Sequence, residues 1–135
     1  GPLRPRIEAL IHRKGLEDCI HCLGIRTDVP QILGALDLFL LPSLYEGLPV
    51  VLVEAQAAGV PCVVAETVTR EGDFHLGLVQ FVPLGAGVDA WVRGALDGLG
   101  TPRPDWPCRQ RALQGAGYDV RMLAPSLQEI YTDGP

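Results

Sequence analysis

The sequence predicts an α/β fold in which a parallel β-sheet is flanked by helices. Short apolar runs that are typical of buried strands alternate along the chain with longer stretches of helical periodicity. One such run, Asp37 to Pro42, is followed by a turn and then by a helical stretch that stops at Gly59. The 135 residues suffice for one domain, and 47% of them are hydrophobic, which is enough for a packed core.

The first residues predict a helix that begins at about Arg4 and is broken by Gly15. Its apolar face consists of Ile7, Leu10 and Ile11. The basic residues of this helix would suit an anionic membrane surface, but Glu8 interrupts the patch. An ordinary solvated helix face is therefore the better interpretation.

Three strands and a short helix are predicted around the run of Asp37 to Pro42. The strands are Cys19 to Leu23, Cys62 to Ala65 and Leu78 to Val82. Asp28 is predicted to be the N-cap of a helix from Val29 to Leu36.

The last part of the chain is predicted to be helical. The expected helices are Val88 to Leu99, Cys108 to Leu113 and Val120 to Tyr131. In the first of them the expected buried face consists of Trp91, Val92, Ala95 and Leu96, and Trp91 is interpreted as a core residue. A proline-rich connection, residues 101–107, precedes the second.

The helix that follows Pro49 has an unusual composition. From Leu48 to Ala58 its only polar residues are Glu54 and Gln56. A helix that is apolar nearly all round is covered on more than one side, so Glu54 is expected in apolar surroundings, where an ionised carboxylate needs a partner. The two adjacent hydroxyls of a ribose are one such partner.

The start of this helix is suited to an anion. Because Pro49 has no amide hydrogen, the amides of Val50 and Val51 are the first donors at the positive end of the helix. A phosphate would fit there. Glu46, which has seven residues between it and Glu54, would accept hydrogen bonds from hydroxyls on the far side of the phosphate. The spacing favours a nucleotide diphosphate sugar as the ligand.

Residues 42–65, PSLYEGLPVVLVEAQAAGVPCVVA, resemble the E-x7-E signature of the retaining GT-B glycosyltransferases of family 4, the glycosyl transferases group 1. The same family is resembled by the runs GPLR at 1–4, RTDVP at 26–30, GYDV at 117–120 and LQEIY at 127–131. VTRE at 68–71 and Trp91 are most similar to the exopolysaccharide and capsular polysaccharide members. The resemblance implies a Rossmann-like sheet that is part of the C-terminal domain of a GT-B fold.

The resemblance also implies roles for individual residues. Glu46 would contact the donor sugar and be the catalytic residue, and the amides of Val50 and Val51 would hold the diphosphate. Glu54 would bind the ribose. Further donor contacts are implied at Gly47 and Leu48 in the same turn, and at Ile25 and Arg26, where the family places the nucleotide base.

The implied reaction transfers a sugar from a UDP-sugar to a lipid-linked or saccharide acceptor in polysaccharide biosynthesis, with the anomeric configuration kept. The implied location is cytoplasmic, with the parent protein peripheral to the inner face of the membrane. No tightly bound cofactor or metal is expected, and the nucleotide sugar is a substrate.

Composition and cysteine spacing exclude other classes. The net charge of −5 gives no basic field for a nucleic acid. No apolar run is long enough to cross a bilayer, and nothing at the start resembles a signal peptide. Cys19 and Cys22 form a single C-x-x-C without a second pair, so the cysteines are interpreted as small buried apolar residues and not as metal ligands.

Two departures from the family pattern are expected to affect donor binding and activity. The loop of residues 67–77 lacks the usual pair of glycines, and Glu71 is left in the acidic position. The first two strands of the domain, with the basic residues that meet the diphosphate, and the acceptor domain would lie upstream of Gly1. The chain of 1–135 is thus expected to be a single partial domain, inactive alone, whose strand Cys19 to Leu23 pairs beside the next strand, or exchanges with a second copy, or needs a partner.

Other readings of the motif are weaker. A non-catalytic nucleotide-sugar-binding or scaffold module would keep Glu54 and the helix start but tolerate the loss of Glu46, which is present. An α/β domain with two solvated glutamates does not account for the apolar residues around Glu54.

Overall fold

A parallel β-sheet with the order β1–β2–β3 forms the centre of the protein. The computed structural model describes residues 1–132, and within them the strands are β1 (Phe39–Leu41), β2 (Cys62–Ala65) and β3 (Val79–Val82). Phe39 lies opposite Cys62 in the β1–β2 pair, and Cys62 lies opposite Val79 in the β2–β3 pair. The predicted α/β fold with a parallel sheet is confirmed.

Helices flank the sheet at positions close to the predicted ones. They are α1 (Arg4–Lys14), α2 (Val29–Ala35), α3 (Val50–Ala58), α4 (Val88–Leu99), α5 (Trp106–Gly115) and α6 (Val120–Thr132). Short 3-10 turns span Arg70–Gly72 and Leu84–Ala86. Among residues 1–132, no helix has both the length and the apolar character that crossing a bilayer would require.

Strand β2 is buried along its whole length because helices cover both faces of the sheet. Successive strand residues point to opposite faces. Val64 belongs to the cluster that includes Leu52 and Ala55 of α3. Val63 faces α4, where it lies next to Gly94. This two-sided burial explains why the strand is a continuous apolar run.

Helix α4 approaches the sheet through two glycines, and of the predicted apolar face Trp91 packs against the core as predicted. A Cβ on Gly98 would lie 2.6 Å from Leu38 Cδ1, and one on Gly94 would lie 3.3 Å from Val63 Cγ1. The predicted face is wrong in part, since Val92 and Leu96 are exposed while Trp91 and Ala95 are partly buried. Glycines four residues apart let the helix backbone itself contact the strands.

The predicted strand Cys19 to Leu23 is wrong. The segment begins as a turn in which the amides of Cys19 and Ile20 both donate to Leu16 O, at 3.0 and 2.9 Å. It continues without regular secondary structure, and β1 has no neighbour on its outer edge within the described residues. A strand needs a neighbour to accept its amides, and pairing beside β1, one of the expected outcomes, does not occur. Exchange with a second copy stays a prediction.

Two further predictions are confirmed only in part. Asp28 occupies the N-cap position of α2 but makes no side-chain capping bond, because its carboxylate accepts hydrogen bonds from Arg26 at 2.7 and 2.5 Å. These bonds lower the pKa of Asp28. Cys19 is exposed, so only Cys62 among the cysteines fits the expected fully buried role.

Helix α3 is held firmly at its C-terminal end. Gly59 adopts φ 77°, and the amides of Gly59 and Val60 donate to the last carbonyls of the helix at 3.0 and 2.9 Å. Arg109 of α5 donates to Ala57 O at 2.5 Å and to Pro104 O at 3.0 Å. A Cβ on Gly59 would lie 3.2 Å from Arg109 Cδ, so the glycine is required both for its backbone angle and for this contact.

We expect Gly98→Val to lower the free energy of unfolding by about 1–3 kcal/mol, because the new side chain must displace Leu38 from between α4 and the sheet. Gly100→Val is the matched control. At that position a Cβ meets only Asp97 O, at 3.5 Å, and φ is −85°. Urea denaturation of both variants measures the difference, and equal losses would contradict the close approach of α4.

We also expect the free energy of unfolding to fall as the pH rises from about 9 towards 12. Burial raises the pKa of the Cys62 thiol from 9.0 to about 12, with the Asp73 carboxylate as a further cause. Above pH 9 the unfolded chain releases this proton and the folded chain keeps it. The slope for this group approaches about 1.4 kcal/mol per pH unit. In Cys62→Ala the free energy of unfolding should fall less steeply with pH, by that amount. Denaturation of both proteins at a series of pH values measures the two slopes, and identical slopes would refute the raised pKa of Cys62.

Candidate functional site

The candidate site lies at the edge of the sheet where the carboxyl ends of the parallel strands meet. The turn between β1 and α3 carries Glu46 at this edge. The segment after β2 runs beside it, and its first residue, Glu66, donates its amide to Val82 O at the end of β3 (3.0 Å). In open α/β sheets this edge is where ligands bind.

Glu46 is held in place by the turn and by the segment after β2. Its carboxylate accepts a hydrogen bond from Ser43 Oγ at 2.9 Å and is partly buried. Its backbone forms a parallel bridge with Val68. The Thr67 hydroxyl donates to Ser43 O at 2.8 Å, which ties the two segments together a second time. The backbone of Glu46 is therefore held by two segments, and its side chain is oriented by Ser43.

The first turn of α3 has backbone donors available beside Glu46. Pro49 is buried at the N-cap and offers no capping side chain, while its carbonyl accepts from the Leu52 amide at 2.9 Å. The amides of Val50 and Val51 precede the first possible partner inside the helix. Val50 is 63% exposed and Val51 is partly buried, so this helix end faces open space.

Glu54 lies one turn further along α3, about 6 Å beyond Val50 along the helix axis. The fully buried side of the helix consists of Leu52, Val53, Ala55 and Gln56. Glu54 is on the other side and is only partly buried, so the expected apolar enclosure is incomplete in this chain. Among residues 1–132 its carboxylate has no hydrogen-bond or ion-pair partner, which leaves it available to a ligand.

Gln56 is fully buried and joins α3 to the loop that follows β2. Its side-chain nitrogen donates to Leu52 O at 3.1 Å and to Gly72 O at 2.5 Å. Its side-chain oxygen accepts from the Phe74 amide at 3.0 Å. The Phe74 ring also contacts Tyr118, with ring centroids 5.2 Å apart. The loop is thereby attached to the helix by a side chain and not by backbone pairing.

The rest of this loop forms a short 3-10 turn that carries Arg70 and Glu71. The Thr69 hydroxyl accepts from the Glu71 amide at 3.4 Å, and Glu71 is exposed. The Arg70 guanidinium lies 4.2 Å from the centroid of the Phe81 ring, a cation–π geometry that holds it at the end of β3. The loop next to Glu46 thus carries one basic and one acidic side chain.

The structure brings together most of the predicted site residues but not all. Gly47 and Leu48 lie in the turn between Glu46 and the start of α3 and are exposed. Ile25 is fully exposed, and the Arg26 side chain is paired with Asp28. Within the described residues neither is joined to the turn or to α3 by a hydrogen bond, although α2, which follows them, packs against α3.

Ser43, Thr67 and Gln56 were not predicted as parts of the site. Ser43 and Thr67 act through contacts between segments far apart in sequence, so no local pattern shows them. Gln56 had a visible signal, because it is one of only two polar residues in an otherwise apolar helix. A buried amide in such a helix must find hydrogen-bond partners outside the helix.

The chain is similar to enzymes that act on sugars. A family model described as glycosyl transferases group 1 matches residues 1–93. EpsF of Bacillus subtilis (strain 168), which is named a glycosyltransferase, is 34% identical over 131 residues, 97% of this chain and 34% of that protein.

Two further relatives have more specific names. The UDP-Gal:alpha-D-GlcNAc-diphosphoundecaprenol alpha-1,3-galactosyltransferase of Escherichia coli is 30% identical over 115 residues, 82% of this chain and 29% of that protein. The lipopolysaccharide glucosyltransferase WaaG of Escherichia coli (strain K12) is 39% identical over 62 residues, 45% of this chain and 17% of that protein. The chain spans about a third of the length of EpsF and of the galactosyltransferase.

The parallel sheet, the strand–turn–helix with Glu46 and Glu54, and the family match over residues 1–93 agree with the resemblance of residues 42–65. This chain belongs to the glycosyl transferases group 1 family.

Proposed function

We propose that this chain binds the nucleotide-sugar donor, of the UDP-sugar class, of a retaining glycosyltransferase in polysaccharide biosynthesis. The observation that carries the proposal is the arrangement on one strand–turn–helix of a fixed carboxylate, an open helix start and a second carboxylate that has no partner among the described residues. These three groups lie in the order in which a nucleotide sugar presents hydroxyls, diphosphate and ribose.

Each group has a proposed role in binding. Glu54 accepts hydrogen bonds from both ribose hydroxyls, and the amides of Val50 and Val51 bind the diphosphate. Glu46, with Gly47 and Leu48 in the same turn, contacts the donor sugar. The base lies towards Ile25 and Arg26. In this arrangement the Arg26 side chain keeps its hydrogen bond to Asp28.

The helix start also supports the chemical step. When the bond between sugar and diphosphate breaks, negative charge grows on the leaving diphosphate. The first turn of α3 carries the equivalent of about +0.5 charge, which is already oriented towards that position. Glu46 is held by Ser43 and by its bridge to Val68, so it can orient the sugar without rearranging. No tightly bound cofactor or metal forms part of the proposal.

The acceptor is proposed to be lipid-linked or a saccharide, in keeping with the diphosphoundecaprenol and lipopolysaccharide named for two relatives. UDP is the favoured nucleotide because the name of the galactosyltransferase contains UDP-Gal. In this proposal the parent acts in the cytoplasm at the inner face of the membrane.

We further propose that residues 1–135 are part of a donor-binding domain whose first two strands, with the basic residues for the diphosphate, come before Gly1, as does the acceptor domain. The chain's share of about a third of its relatives' length and the open outer edge of β1 support this. The half-buried state of Glu54 fits a crevice with one wall present.

Under this proposal the 135 residues alone transfer no sugar. Incubation with UDP-galactose and an undecaprenyl-diphosphate-linked GlcNAc acceptor should give no disaccharide product by mass spectrometry, because the acceptor has no binding surface. The galactosyltransferase from Escherichia coli serves as the positive control. Formation of product by the chain itself would refute the proposal that it is only the donor half.

Glu54→Ala should weaken the binding of UDP about 10- to 100-fold, since it removes hydrogen bonds between a charged group and the ribose. Isothermal titration measures both dissociation constants. Glu129→Ala, which removes an exposed carboxylate on α6, is the matched control and should leave the affinity unchanged. Equal affinities for Glu54→Ala and the unaltered chain would mean that the ribose is held elsewhere.

A further inference from the structure

Gln56 is more constrained than any role inside α3 requires. It is the one fully buried polar residue among the side chains that the structure describes, and its amide makes three hydrogen bonds. Only the bond to Leu52 O is within the helix. The other two reach across to Gly72 O and the Phe74 amide, one as donor and one as acceptor, so the orientation of the amide is fixed by the loop.

An apolar residue would serve the helix equally well. Methionine has a similar length, packs readily in cores and is a good helix former. Burying an amide carries a desolvation penalty that only its hydrogen bonds offset. The two bonds to the loop are therefore what this residue adds to the structure.

The loop that Gln56 holds is the one that stands beside Glu46. Gly72 is buried, and a Cβ there would lie 3.4 Å from Leu52 Cδ2 and 3.6 Å from Leu48 Cδ1, so the 3-10 turn lies against the first turn of α3. At the other end of the loop, Val68 forms the bridge to Glu46. The segment between these two attachments carries Thr69, Arg70 and Glu71.

We propose that Gln56 is a positioning residue for the donor sugar. Through Gly72 and Phe74 it fixes the 69–74 loop against the helix start, so that Glu46 and the loop residues form one surface around the sugar. The nucleotide is bound by α3 itself and does not depend on this loop. The inference rests on the proposed donor site. It adds that the part of this site around the sugar includes a loop held in place by the buried Gln56 amide.

The test separates the sugar from the nucleotide. The chain with Gln56→Met is titrated with UDP and with UDP-galactose, and the ratio of the two dissociation constants is compared with that of the unaltered chain. We expect the affinity for UDP to change less than about twofold and that for UDP-galactose to fall about tenfold, a loss of the size expected when one or two hydrogen bonds are misplaced. The Phe74 amide should also exchange with solvent faster, as seen by NMR.

Val63→Ala is the control for simple loss of stability. Val63 is fully buried in β2 on the face towards α4, away from the loop. It should lower the melting temperature without changing the ratio. If Gln56→Met does not fold, Gln56→Glu replaces it, because it keeps the size and the acceptor for the Phe74 amide but loses the donor to Gly72 O and to Leu52 O.

The outcomes are distinct. A changed ratio with faster exchange of Phe74 supports the inference. An unchanged ratio, or equal weakening of both ligands, overturns it while leaving the proposed donor site intact. Failure of the folded, unaltered chain to bind either UDP or UDP-galactose overturns the proposed function, and the inference with it.

Discussion

The candidate site depends on the parallel pairing of β1 with β2. Because both strands run in one direction, the chain leaves them at the same edge of the sheet, and the turn with Glu46 emerges beside the segment with Val68. The backbone bridge between these two residues and the Thr67 bond to Ser43 O continue the pairing beyond the strands. The position of a carboxylate in a turn is thus set by the sheet, and the cost of ordering that turn is met before a ligand binds.

Helix α3 connects this edge to the rest of the molecule. Its start is open to solvent, whereas its end is closed by Gly59 and by Arg109 of α5. A cation at the end of a helix stabilises the negative end of its dipole. The one polar residue buried inside it, Gln56, anchors a loop. A helix fixed at its C-terminal end can present its first turn at a defined position, as an anion site made of backbone amides requires.

Much of this arrangement was predictable because it depends on residues that are close together in the sequence. The apolar run before Ser43, the proline before Val50 and Gly59 after Ala58 predict the strand, the helix and its end to within two residues. The predictions that failed share one physical cause, which is that contacts between segments distant in sequence decided the outcome. Cys19 to Leu23 has the composition of a strand, but a strand forms only beside a neighbouring strand. Val92 and Leu96 have the spacing of a buried helix face, but Gly94 and Gly98 decide which side of α4 meets the sheet. The bonds of Ser43, Thr67 and Gln56 join distant segments and leave no periodic signal.

The loop after β2 shows how a departure from a family pattern can be compensated. The resemblance leads one to expect a pair of glycines there. In this chain Gly72 packs against Leu52, and the Gln56 amide supplies the two hydrogen bonds that hold the backbone on either side of Asp73. Under the proposed function, the start of α3 and Glu54 bind the diphosphate and the ribose, which are common to all nucleotide sugars, and Glu46 contacts the sugar. The loop that departs from the pattern lies at the sugar, which is the part of the donor that differs from one enzyme to another.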